Sequence, residues 1–138
     1  MLLKISRDIK KLNKDFDSFN EEELRSSLTE IENKINKALN SKTSKVIACG
    51  TSAVRVIETS VMASGMSKPG TGWTDKFIYP DYPWKITEAV ITNFHRPEST
   101  LLMLAAAFGG YDFIMKAYEE AQEKDYRFFS FGDAMLIL

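Results

Sequence analysis

The chain holds one imidazole, His95, in Thr92-Asn93-Phe94-His95. A short polar turn, Arg96 to Thr100, then leads into the apolar block Leu101-Leu102-Met103-Leu104. A strand that ends in a polar loop and returns as a helix is where α/β proteins place their ligands. A zinc set built from His and Cys has no ligands to draw on, because there is no second histidine and only one cysteine. No G-x-S-x-G elbow is present, so a serine hydrolase is unsupported. What is left is an imidazole beside a helix N-terminus. The dipole there disfavours imidazolium, and a neutral ring can act as a base or a hydrogen-bond donor. The alternative is a histidine that only ties its loop down.

A second candidate is the turn Gly50-Thr51-Ser52, with Arg55 one helical turn further on. Backbone N–H groups and two hydroxyls at a helix start suit an anion or a ribose hydroxyl. Neither a Walker lysine nor a G-x-G-x-x-G is present, so an ordinary capped turn is the competing reading. A third is "GWTDKFIYPDYPW", which gathers Trp73, Phe77, Tyr79, Tyr82 and Trp84 around Asp75. Aromatic faces suit stacking on nucleobases, and they suit core packing equally well.

These loops need elements to hold them. At 138 residues the chain is expected to form a single domain, with a helical lead-in over 1–44 and a motif-bearing region over 45–138. Residues 1–45 carry 10 Lys/Arg against 8 Asp/Glu, and residues 46–138 carry 8 against 11, so no basic domain emerges to track phosphates nonspecifically. The lone Cys49, in "KVIACG", excludes an internal disulfide and reads as a small core residue on a buried strand. No apolar run is long enough to span a bilayer, and "MLLKISRDIKK" lacks the features of a signal peptide. A cytoplasmic, reducing setting without a membrane partner is expected.

Leu24, Leu28, Ile31, Ile35 and Leu39 recur at helical spacing in "NEEELRSSLTEIENKINKALN", with Asn20 and Glu23 placed for a capping box. Ile5, Ile9 and Leu12 predict a weaker helix before it. Lys45 to Cys49 reads as a strand, followed by the Gly50 turn and a helix in "AVRVIETSVMA". Phe77 to Tyr79 and "ITEAVIT" are further strand candidates. Ser99 to Phe108 predicts a fully buried helix ended by Gly109-Gly110. Asp112 is then placed to cap a helix with Phe113, Ile114, Ala117, Tyr118 and Ala121 on one face, and Ala134 to Leu138 is a closing strand. This alternation predicts an α/β fold: an open, mostly parallel sheet flanked by helices.

In this order, "ACGTSAVRVIET", "GTGWTDKFIYP", "ITNFHRPESTLLMLAAAFGGY" and "YRFFSFGDAMLI" resemble the C-terminal part of the S-adenosylmethionine:tRNA ribosyltransferase-isomerases of queuosine biosynthesis. The resemblance runs from about Lys45 to the chain end and implies an α/β catalytic domain whose family carries an inserted β-barrel. It implies transfer of the ribosyl part of S-adenosylmethionine to an aminomethyl-deazaguanine at the tRNA wobble position. Epoxyqueuosine forms, and adenine and methionine are released. S-adenosylmethionine is then a consumed co-substrate, no metal is required, and the partner is the tRNA anticodon region.

By the same resemblance, His95 is the candidate for a proton transfer. Gly50, Thr51, Ser52 and Arg55 would hold a carboxylate, ribose or phosphate, and Asp75, Phe77, Tyr79, Thr92, Asn93, Phe94 and Asp133 would line the substrate site. Ala53 stands where the family usually has serine, and Cys49, Asp81 and Arg96 also depart from its pattern. Family members are considerably longer, so the expectation is that the remainder of the enzyme is supplied in cis or in trans and that these residues alone do not turn over. A truncated, inactive fragment that still binds nucleotide or tRNA is the alternative.

Overall fold

The computed structural model describes residues 21–138; the helix predicted around Ile5, Ile9 and Leu12 and the Asn20 cap lie outside the described residues. Seven elements follow one another: α1 (Glu21–Leu39), β1 (Ile47–Cys49), α2 (Thr51–Thr59), β2 (Ala89–Asn93), α3 (Thr100–Gly109), α4 (Tyr111–Glu123) and β3 (Ala134–Ile137).

β2 is the middle strand of three. β1 lies parallel to it, with Ile47 opposite Ala89 and Cys49 opposite Ile91. β3 lies antiparallel, with Asn93 opposite Ala134 and Val90 opposite Ile137. The expected mostly parallel sheet is therefore mixed among the described residues. The cause is the double helical connection: α3 and α4 meet at a bend of 115°. The chain thus returns to the end of β2 that it left, where the Phe129 N–H bonds the Phe94 carbonyl at 2.9 Å. β3 can then only run back.

The core forms where β2 and its neighbours meet the helices. Ala48, Val54, Val90, Phe94, Leu104, Ala105, Ile114, Tyr118 and Ile137 make one buried cluster. A smaller cluster of Ala38, Val46 and Ile86 receives only the last turns of α1, through Ile35 and Leu39. The rest of the predicted stripe on α1 is half-buried. Asn36 pins α1 down by exchanging two bonds with the Ser67 backbone, at 2.8 and 3.0 Å.

Several expectations need correction. Phe77 to Tyr79 is irregular: Ile78 is buried while its neighbours are exposed, and Pro80 follows with no N–H for a ladder. Cys49 is exposed, because strand alternation turns Ala48 inward and its neighbours outward. α3 is not buried all round, since Leu101 and Met103 face outward. Gly110, at φ 84°, separates α3 from α4 and is itself the N-cap residue of α4, while Asp112 lies in the first turn as an acidic residue near the positive helix end. Phe113 is exposed, and the inner face of α4 is Ile114, Tyr118 and Ala121.

A buried carboxylate ties the segment before β2 to α2. Glu58 is 1% exposed. Its Oε1 accepts from the N–H groups of Ile86 and Thr87 at 3.1 and 2.9 Å, and its Oε2 from Lys85 at 3.2 Å. The Tyr82 hydroxyl also donates to Oε2, at 3.4 Å. Among the described residues no other acceptor is bonded to these amides, so removing charge and one acceptor leaves buried donors unpaired. Glu58→Gln is expected to cost about 2 kcal/mol, read as a lower urea midpoint at unchanged slope. An unchanged midpoint would mean that water satisfies these amides.

Candidate functional site

Because β1 and β2 are parallel, their carboxyl ends open at the same edge of the sheet. The Gly50 N–H extends the ladder by donating to the Ile91 carbonyl at 2.7 Å, so the Gly50 turn lies beside the end of β2. Gly50 takes φ 92°, which a side chain would resist, and this turns the strand sharply into α2. β3 starts at that edge as well, which brings in Gly132 and Asp133. Three loops therefore meet around Thr92 to His95.

That segment has its polar groups bound at each step. The two carbonyls of Gly132 and Asp133 both accept from Asn93 Nδ2, at 3.2 Å. The His95 N–H donates to the Tyr118 hydroxyl at 2.8 Å. Thr92, 4% exposed, places its Oγ1 2.7 Å from His95 Nε2. If Nε2–H donates, Nδ1 keeps a free lone pair; if the hydroxyl donates, Nδ1 carries the proton. Nδ1 has no hydrogen-bond partner among the described residues. Phe94, by contrast, is 4% exposed and packs edge-on against Tyr118, so it supports the loop from within the core.

Burial holds the His95 imidazole below its ordinary value of 6.5. The effect expected from the helix dipole is not needed, since α3 begins only at Thr100, after the turn closed by the Ser99 hydroxyl on the Arg96 carbonyl. Burial raises the Tyr118 phenol, partly offset by the bond from the His95 N–H, so it stays protonated and neutral at physiological pH.

The other candidates divide by location. Arg55 Nε donates to the Lys76 carbonyl at 3.1 Å and its Nη2 to that of Thr74 at 3.3 Å. It therefore clamps the loop that carries Asp75, which is exposed. Just beyond, Phe77 and Tyr79 wall a groove of about 760 Å³ whose other side is Pro97, Ser99, Leu102 and Met103. Of the residues singled out from sequence, only these two aromatics line it. Thr51 is buried and Ser52 exposed at the Gly50 turn. Asp133 is held by Arg127 through a 2.8 Å ion pair and a 2.9 Å bond from the Arg127 N–H. The side-chain bond to Arg127 is the main reason its carboxyl lies below the usual range.

Sequence reading missed Tyr118 as the support of His95 and Glu58 as the anchor of residues 85–87. A signal existed for Glu58: it follows Val54 by four residues, on the buried face of α2. Among the described residues no three His, Cys, Asp or Glu side chains converge on a point where a metal ion fits. No single described helix is long and apolar enough to cross a membrane.

Since the folded chain holds the imidazole below 6.5, the unfolded chain binds more protons as pH falls through that value. Stability is then complete above 6.5, declines as pH drops through it, and levels off below the folded value. The single imidazole makes this directly visible by proton NMR. Its native midpoint is expected below that of the urea-unfolded chain, and a midpoint at or above it would mean a solvated or charge-paired ring.

Comparison with known proteins bears on the family. A family model described as queuosine biosynthesis protein matches residues 10–137. The S-adenosylmethionine:tRNA ribosyltransferase-isomerase of Natranaerobius thermophilus is 57% identical over 104 residues, covering 75% of this chain and 30% of that protein. Its namesake from Symbiobacterium thermophilum is 57% identical over 94 residues, covering 68% of this chain and 28% of the relative. The crystal structure of S-adenosylmethionine tRNA ribosyltransferase from Thermotoga maritima superposes with a TM-score of 0.65 at 47% identity, over 82% of this chain and 37% of that one. The chain thus spans about 30% of the length of the relatives it matches. By the extent of the family match and the level of identity, it belongs to the queuosine biosynthesis protein family.

Proposed function

We propose that this chain is the C-terminal portion of the catalytic domain of an S-adenosylmethionine:tRNA ribosyltransferase-isomerase. The remainder of the enzyme completes it in cis or in trans, in the cytoplasm. The reaction moves the ribosyl moiety of S-adenosylmethionine onto the aminomethyl-deazaguanine wobble base of tRNA, giving epoxyqueuosine with release of adenine and methionine. The co-substrate is consumed, and no metal takes part. The observation that carries the reading is the shared sheet edge, where the Gly50 turn, Thr92 to His95 and Gly132-Asp133 meet around a half-buried imidazole biased toward neutrality.

That edge matches what the chemistry needs. The carbon next to a sulfonium is acidic, the departing adenine benefits from a proton, and the attacking amine must be oriented. A neutral imidazole steadied by Thr92 and by Tyr118 offers Nδ1 for one of these proton transfers. The Gly50 turn, with Thr51 and Ser52, lies within the same edge for a carboxylate or ribose hydroxyl. Arg55 spends two donors on the loop of Thr74 to Lys76, and among the described residues its remaining N–H groups have no partner, which leaves them for an anion. Phe77 and Tyr79 line the groove, Asp75 lies exposed on the loop before them, and Asn93, Phe94 and Asp133 hold the loops in register.

The test replaces the corresponding segment of a complete family enzyme with residues 45–138 and measures adenine release from S-adenosylmethionine and precursor tRNA. His95→Ala in that enzyme is expected to cut turnover by about a hundredfold or more while the melting temperature barely moves. Activity within a few-fold of the parent would make the imidazole structural. A parent that releases no adenine would remove the reading itself.

A further inference from the structure

The contact between Thr92 and His95 has two possible proton arrangements, and burial separates them. Thr92 alternates along β2 with Val90 and Phe94, both members of the buried core cluster, so its side chain shares their face. It is itself buried, and among the described residues its Oγ1 has one hydrogen-bond contact, His95 Nε2 at 2.7 Å. The His95 ring is only half-buried. Its backbone is pinned by the bond from its N–H to the Tyr118 hydroxyl at 2.8 Å, and that of Asn93 by the two carbonyls its side chain holds. Branching at Cβ restricts χ1 of Thr92, so the hydroxyl does not readily turn to a different partner.

If Nε2–H donates to Oγ1, the threonine hydroxyl keeps a buried proton for which no described residue offers an acceptor. Folded proteins rarely strand a buried donor, whereas they tolerate an unused oxygen lone pair. If the hydroxyl donates to Nε2, its proton is satisfied and the ring carries its own proton on Nδ1, the nitrogen that no described residue occupies. We infer that Thr92 is a positioning residue that holds neutral His95 as its Nδ1–H tautomer, so that the ring meets the substrate as a hydrogen-bond donor and not as a base; the inference rests on the proposed function for the identity of that substrate. A nitrogen that already bears a proton cannot take another, and the second lone pair is held by Thr92. Removal of the proton next to the sulfonium then falls to another group. His95 instead serves the departing adenine, whose developing negative charge accepts the Nδ1–H bond. The proton remains on Nδ1, and the ring is neutral before and after.

The single histidine makes the tautomer directly readable. In the chain carrying isotope-labelled neutral histidine, long-range proton–nitrogen NMR is expected to show Nδ1 as the protonated nitrogen and Nε2 as the hydrogen-bonded, pyridine-type one. Thr92→Ser should keep this pattern, and Thr92→Val should move the Nε2 resonance to the position of an unbonded pyridine-type nitrogen. A protonated Nε2 in the parent overturns the proposal, as does an Nε2 resonance that Thr92→Val leaves in place. In a complete family enzyme carrying residues 45–138, Thr92→Val is expected to lower kcat about tenfold with KM for S-adenosylmethionine unchanged, and Thr92→Ser to restore it. His95→Asn, whose amide donates from near the Nδ1 position and is no base, should keep about tenfold more turnover than His95→Ala. Equal losses in those two variants overturn the donor role, and an unchanged kcat in Thr92→Val overturns the positioning role. The NMR reading needs no turnover, so a parent enzyme that releases no adenine counts against the proposed reaction and not against the tautomer.

Discussion

The structure depends on how the chain leaves β2. At Asn93, Phe94 and His95 the strand is no longer flanked on both sides by a regular ladder, yet its polar groups remain paired. Asn93 Nδ2 takes the carbonyls of the returning turn, the Phe94 carbonyl takes the Phe129 N–H, and the His95 N–H takes Tyr118. Unpaired, buried groups of this kind would each cost about 1–3 kcal/mol, so the three partners specify one conformation of the loop. Phe94 secures it from beneath by packing among Tyr118, Tyr126 and Phe128. The imidazole is held in place because its backbone has nowhere else to go.

The same economy of polar groups organises the segment between α2 and β2. Glu58 on α2 satisfies three successive amides of the segment entering β2, and Arg55 on the next turn back satisfies two carbonyls of the aromatic loop. Thr59 adds a hydroxyl contact to Thr74 at 2.8 Å. One short helix therefore anchors both ends of a long irregular segment, residues 74–87, that has no ladder of its own. The groove wall of Phe77 and Tyr79 is rigid to the extent that these side chains hold.

Apolar surface marks where the domain meets its surroundings. Leu101 and Met103 on α3, Phe113 on α4 and Leu136 on β3 face outward. The relatives are more than three times the matched length.

Periodicity and turn chemistry were enough to read α1, the strand–turn–helix at Gly50, the helix that begins near Ser99 and the strand leading to His95. Each depends on contacts within a few residues, which is what local sequence encodes. The motifs also carried the family resemblance, because the reactive loops lie in contiguous stretches. Other features depended on partners distant in the chain. β3 is antiparallel because two helices, not one, precede it, and Cys49 is outward because Ala48 faces the core. The half-desolvated imidazole, the bond from the His95 backbone N–H to Tyr118 and the burial of Glu58 arise only when α2, α4 and the sheet close on one another. Sequence determined which residues stand at strand ends; the tertiary structure decided which of those ends share an edge, because that is set by the direction in which each strand returns.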